Sequence, residues 1–186
     1  MMIDAAKMSF RELNGKIREA ARDGETIHLK NVMGQRYIGC GMTEKVNIIV
    51  EGIPGQDLAA FMNGPRIMVH GNGQDGIGNT MNSGRVIIRG DAGDILGHSM
   101  RGDSRIYVKG YVGYRTGIHI KSFRDKFPVI VIGGTAGDYL GEYMAGGIVL
   151  VLGNVNGGPA RDIVGRYVGT GMHGGALYIA GNVPDD

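Results

Sequence analysis

Residues 82–110 contain the run Asn82-Ser-Gly-Arg-Val-Ile-Ile-Arg-Gly90, then Asp94-Ile-Leu-Gly-His-Ser-Met100, then Arg105-Ile-Tyr-Val-Lys-Gly110. This is one full repeat and the start of the next. A β-branched stretch ends in Gly, a short apolar segment ends in Met, and a further Gly leads into the next stretch. Working outward, the β-branched stretch recurs as Asn47–Gly52, Arg66–Gly71, Val129–Gly133, Ile148–Gly153 and Ala176–Gly181, with Thr26–Lys30 as an earlier copy. The apolar segment recurs as Asp75–Met81 and Asp138–Met144, with looser copies at Arg36–Met42, Asp57–Met62 and Asp162–Met172. The terminal glycines mostly fall 19 to 20 residues apart.

That period decides the fold class. A unit of this length is too short for a strand–helix–strand crossover, which takes about 30 residues. No unit carries a helical apolar pattern. A single unit cannot bury its own apolar face, so units must stack. The sequence therefore predicts an all-β fold, a single right-handed parallel β-helix of about eight coils. Like positions superpose at about 4.8 Å, and the aliphatic and Met side chains form inward columns. Gly serves the corners, where φ is positive or backbones approach closely.

The N-terminus breaks the pattern. Ser9-Phe-Arg-Glu12 is a capping box, and Phe10, Leu13, Ile17 and Ala20 follow at helical spacing. Gly24 can stop the helix, while Gly15 weakens it. We expect residues 1–24 to form a helical cap over the open end of a repeat domain spanning 25–186. No comparable plug follows Gly181, which marks the other end as a docking surface. Insertions at 121–128 and around 156–161 should emerge as loops. In the first, Phe123, Arg124 and Phe127 are the candidate partner contact.

Composition narrows the function. There are 35 glycines but only 5 prolines, and Gly does not recur every third residue, which excludes collagen. With 42% hydrophobic residues in short runs, disorder is excluded too. The formal net charge is +2 and no block of like charges stands out, so nothing argues for nucleic acid or a membrane surface. One cysteine, Cys40, rules out an internal disulfide. The sequence reads as cytoplasmic.

Chemistry has few footholds. Two segments match GxGxxG, at 71–76 and 169–174. The motif needs a following helix to meet a pyrophosphate, and neither segment is followed by a helical pattern. Asp57, Asp75, Asp94, Asp138 and Asp162 suggest a carboxylate column, interrupted by Arg36 and Tyr114. Asp is also the residue that caps turn N–H groups, and we read the column that way. His28, His70, His98, His119 and His173 form no HxxxH or HExxH pattern, so no metal site is expected. Cys40 reads as a small packed residue, and Met42, Met62, Met81, Met100, Met144 and Met172 as core. We expect no catalytic, cofactor or metal residue in this chain.

Three segments carry a resemblance. They are Gly34-Gln-Arg-Tyr-Ile-Gly-Cys-Gly41, Asn82–Gly90, and Gly137-Asp-Tyr-Leu-Gly-Glu-Tyr-Met-Ala-Gly-Gly147. Over roughly residues 24 to 181 the chain resembles the C-terminal glycine-repeat (GXGXG) domain of the glutamate synthase large subunit in stand-alone form. It is also similar to the formylmethanofuran dehydrogenase chain that shares this repeat. The first resemblance implies a structural subunit of a complex that makes glutamate from glutamine and 2-oxoglutarate. The implied partners are a glutaminase chain and a synthase chain carrying FMN and an iron–sulfur cluster. A homo-oligomer is also compatible with the open end. The alternatives are the formylmethanofuran dehydrogenase context and an independent carbohydrate-active β-helix enzyme, whose acids would be Asp94 and Asp138.

Overall fold

The computed structural model describes residues 1–24, 26–155, 158–159 and 162–184. Nine strands build one all-parallel sheet. In chain order they are β1 (Met2–Asp4), β2 (Ile27–Met33), β3 (Asn47–Ile53), β4 (Asn63–Val69), β5 (Ser83–Ile88), β6 (Asp103–Val108), β7 (Val129–Ile132), β8 (Ala145–Val151) and β11 (Gly174–Ile179). Between β8 and β11 lie β9 (Asn154–Val155) and β10 (Gly158–Pro159), a two-stranded antiparallel pair. Sheet order follows chain order, as a β-helix requires. The solenoid makes about six turns, slightly fewer than the eight coils expected. Counting strands overstates turns, because a row of strands encloses one fewer turn than strands. The final connection is also interrupted by the β9–β10 excursion. The insertion expected around 156–161 lies largely outside the described residues.

Strand alternation sets the core. Ile27, Ile48, Ile67, Val86, Ile106, Ile130 and Val149 lie in register on successive strands. All seven are buried, as are Leu29, Val50, Val69, Ile88, Val108, Ile132 and Val151 two residues on. Against this sheet stands the second column, in which Met42, Met62, Met81, Met100 and Met144 are buried as expected. Met172, in the last coil, is only half-buried.

The second column is not strand. Each coil holds a six-residue segment, such as Ile95–Met100, in which the first, third and fifth residues have positive φ. Ile95, Gly97 and Ser99 do so here, as do Tyr139, Gly141 and Tyr143 two coils on. The amide directions explain the repetition. The first N–H donates to the following coil (Ile95 to the Tyr114 carbonyl), and so does the fifth (Ser99 to Ile118). The third donates to the preceding coil (Gly97 to Ile77), while the fourth and sixth close turns within the segment (His98 to Ile95, Met100 to Gly97). Buried amides favour pairing, and this arrangement pairs five of the six in each such segment without a strand.

α1 (Phe10–Ala21) is the expected helix, with the capping box formed on both sides of Ser9 and Glu12. Leu13, Ile17, Ala20 and Ala21 are buried in the core end. Its polar side chains do something the sequence did not announce. Asn14 Nδ2 donates to the Arg36 carbonyl at 2.9 Å, and the Arg18 guanidinium donates to the Cys40 carbonyl. In later coils those two carbonyl positions accept N–H groups from the coil before, as Gln56 does from Tyr37 and Ala60 from Gly41. Thus α1 supplies the two donors that a preceding coil would have supplied.

Candidate functional site

The aspartates fall into place once the register is fixed. Asp75, Asp94 and Asp138 occupy one column. Asp57 sits one residue out of phase, its place taken by Gln56, and Asp162 lies four residues before the matching Arg166. The five-member column expected from sequence is therefore three. Each carboxylate accepts the backbone N–H of the equivalent residue in the next coil. Asp75 Oδ1 receives Asp94 N–H, Asp94 Oδ1 receives Tyr114 N–H and Asp138 Oδ1 receives Arg166 N–H, all at 2.9 Å. A second ladder, unforeseen, runs from Asn72 to Asp91 to Tyr111 at 3.0 Å per step. Gly93, Gly113 and Gly165 precede the donors in the first ladder. A Cβ at any of them would overlap the carboxylate below. The acids are coil-to-coil caps, and this geometry does not leave them paired for acid–base work.

Asp94→Ala should therefore cost about 1.5 kcal/mol by urea unfolding, the worth of a hydrogen bond to a charged group. Asp94→Asn should cost much less, since Asn72 already fills the same role.

The residues after Gly76 form a left-handed alternating segment, not a helix, and the 169–174 match begins inside another such segment and runs into β11. Among the described residues α1 is the one α-helix, so neither match meets a helix N-terminus. Burial pushes the Cys40 thiol above its ordinary range, outweighing the nearby Arg18 cation. That disfavours the thiolate a nucleophile needs. His98 and His119, read separately in the sequence, lie 5.8 Å apart on neighbouring coils, and His119 stacks on Tyr143 at 5.4 Å. Burial, then His119, lowers the affinity of His98 for a proton. Among the described residues no group of three His, Cys, Asp or Glu side chains is placed to hold a metal.

The 121–128 insertion forms a tight loop closed by reciprocal hydrogen bonds between Phe123 and Lys126. Phe123 and Phe127 are exposed, and Arg124 lies over the Phe123 ring at 5.2 Å. Phe127 faces the other way, toward the sheet. Its ring lies under the Arg105 guanidinium at 5.6 Å, and its carbonyl accepts from Arg105 at 2.8 Å. The loop is thus joined to the outer face of the sheet.

That face is the feature that charge counting missed. Strand register places Arg66, Arg85 and Arg105 on adjacent rungs. Four residues along, His70, Arg89 and Lys109 form a second row, each donating its N–H to the strand before. Between the rows runs an outward apolar ladder, Ile49, Met68, Ile87, Tyr107, Val131 and Leu150. Like charges facing each other across strands oppose pairing. In the second row Glu51 stands opposite His70, but little offsets the arginines of the first. Asp103 pairs with Arg105 at 2.8 Å, and Arg85 lies over Tyr107 at 5.6 Å. The Arg66 guanidinium has no hydrogen bond or ion pair among the described residues, and Arg85 Nε is buried without a partner. A cleft of about 310 Å³ is lined by Arg66, Gly84, Arg85, Asp103 and Arg105. The signal was present in sequence, since three consecutive β-branched runs begin with Arg66, Arg85 and Arg105 and carry His70, Arg89 and Lys109 just before their terminal Gly.

Comparison with known proteins agrees with this architecture. An uncharacterized protein of Methanocaldococcus jannaschii is 52% identical over 191 residues, covering all of this chain and 73% of that protein. The chloroplastic ferredoxin-dependent glutamate synthase of Spinacia oleracea is 31% identical over 163 residues. That match takes in 81% of this chain and only 9% of the synthase. The sequence pattern described as the GXGXG motif matches residues 4–185. With a match of that extent and the stacked glycine-rich coils that carry it, this chain belongs to the GXGXG motif family.

Proposed function

We propose that this chain is a non-catalytic structural subunit of a glutamate synthase-type complex. In this reading it holds together a glutaminase chain and a synthase chain with FMN and an iron–sulfur cluster, in the cytoplasm, while glutamine and 2-oxoglutarate are converted to glutamate. One observation carries the reading. The region it shares with ferredoxin-dependent glutamate synthase is a 9% fraction of a much larger enzyme, as expected of a part that supports chemistry done elsewhere. The side chains of this chain agree, because Asp75, Asp94 and Asp138 are used to bond coil to coil.

The test is affinity purification of the chain from its own cells at native concentration, followed by mass spectrometry and flavin absorbance. The expected result is glutaminase and flavin-bearing synthase chains in fixed ratio, with no glutamate-forming activity in the isolated chain. Recovery as a lone polypeptide would overturn the proposal.

A further inference from the structure

We infer that the outer face of the parallel sheet, centred on Arg85 and Ile87, is the surface on which an acidic protein partner docks. The kind of occupant rests on the scaffold reading above; the face itself does not. Three features define it. The apolar ladder from Ile49 to Leu150 crosses six strands, which at sheet spacing is about 24 Å. Arginines flank it on one side and His70, Arg89 and Lys109 on the other, about 13 Å away along the strands. This is the layout of an interface, an apolar centre within a charged rim.

The charge argument identifies the partner. Arg66 and the Arg85 Nε lack partners among the described residues, and of the three arginines in register only Arg105 forms an ion pair there, with Asp103. Arginine forks are suited to carboxylates, and carboxylates interleaved between the rungs would relieve the repulsion along the stack. The matching surface is therefore rimmed with Asp and Glu around apolar side chains. Phe127, seated under Arg105, extends the same face toward the 121–128 loop.

The test uses the full chain and whatever folded chains co-purify with it from its own cells, after nuclease treatment. Binding is measured for wild type, Arg85→Glu and Ile87→Asp, with Lys16→Glu on the exposed side of α1 as a charge-matched control. Melting temperatures confirm that the variants fold. Arg85→Glu and Ile87→Asp should each weaken partner binding at least tenfold, Lys16→Glu should not, and wild-type affinity should fall with salt. Undiminished binding by both face variants overturns the docking face and leaves the scaffold reading intact. Face-dependent binding of an acidic chain from a preparation without glutaminase or flavin chains overturns the scaffold reading and keeps the face. Retention abolished by nuclease identifies nucleic acid as the occupant and overturns the inference. A wild-type chain that binds nothing overturns both.

Discussion

Gly52→Ala is expected to lower the unfolding free energy by about 3 kcal/mol, the upper range for a strained backbone position. Gly52 has φ of 119°, a conformation side chains rarely adopt, and an added Cβ would overlap the Val32 carbonyl oxygen. Both obstacles are backbone, so no rotamer change relieves them. The ladder between β2 and β3 shifts register here, pairing Val32 with Gly52, and the close approach follows from that shift. In a chain of this length the loss corresponds to a melting temperature about 6 to 12 °C lower. Gly15→Ala provides the opposite sign. Gly15 is inside α1 with nothing near its missing Cβ, so alanine should add up to about 1 kcal/mol. Differential scanning calorimetry of both variants checks the pair, and a Gly52→Ala protein as stable as wild type would refute the strain argument.

Gly97→Ala should destabilise by about 3 kcal/mol through overpacking and left-handed strain together, and adding Ile130→Val should recover about 1 kcal/mol of it. The Gly97 Cβ would come within 2.6 Å of Ile130 Cδ1 and 2.9 Å of Met100 Sδ. Gly39 faces Ile67 and Gly78 faces Ile106 in the same manner. The chain already contains the exchanged pair. Where the third residue of the segment is Ala59, at φ 61°, the strand residue at the same offset is Val86, which lacks the Cδ1. Ile130→Val alone should cost about 1 kcal/mol. The double variant should lose about 2 kcal/mol rather than the sum, a coupling of the size seen for residues in contact. Strict additivity in chemical denaturation would show that Gly97 and Ile130 do not share this space.

The sequence conveyed the fold through residue types that have one reading. Runs such as Val86-Ile-Ile88 ending in Gly are strands, and Ser9 with Glu12 starts a helix. The loop at Phe123 to Phe127 was also visible, as a break in the period. The left-handed segments were not. Gly97 signals positive φ, but Ile95, Ser99, Tyr139 and Tyr143 adopt it for want of an alternative partner for their amides, and nothing in those residue types says so. Asp57 was misaligned for the same reason. Its coil is as long before the Met as its neighbours, but Gln56 holds the column position and Asp57 follows it, and only the hydrogen bonds reveal that shift. The basic face escaped because formal charge sums over the whole chain, whereas the sheet selects every twentieth residue and sets those side by side.

The side chains of Asn14 and Arg18 have one further consequence. By occupying the acceptors that a previous coil would use, they make α1 a terminator of the left-handed column, so that another solenoid cannot stack its own turn segment there.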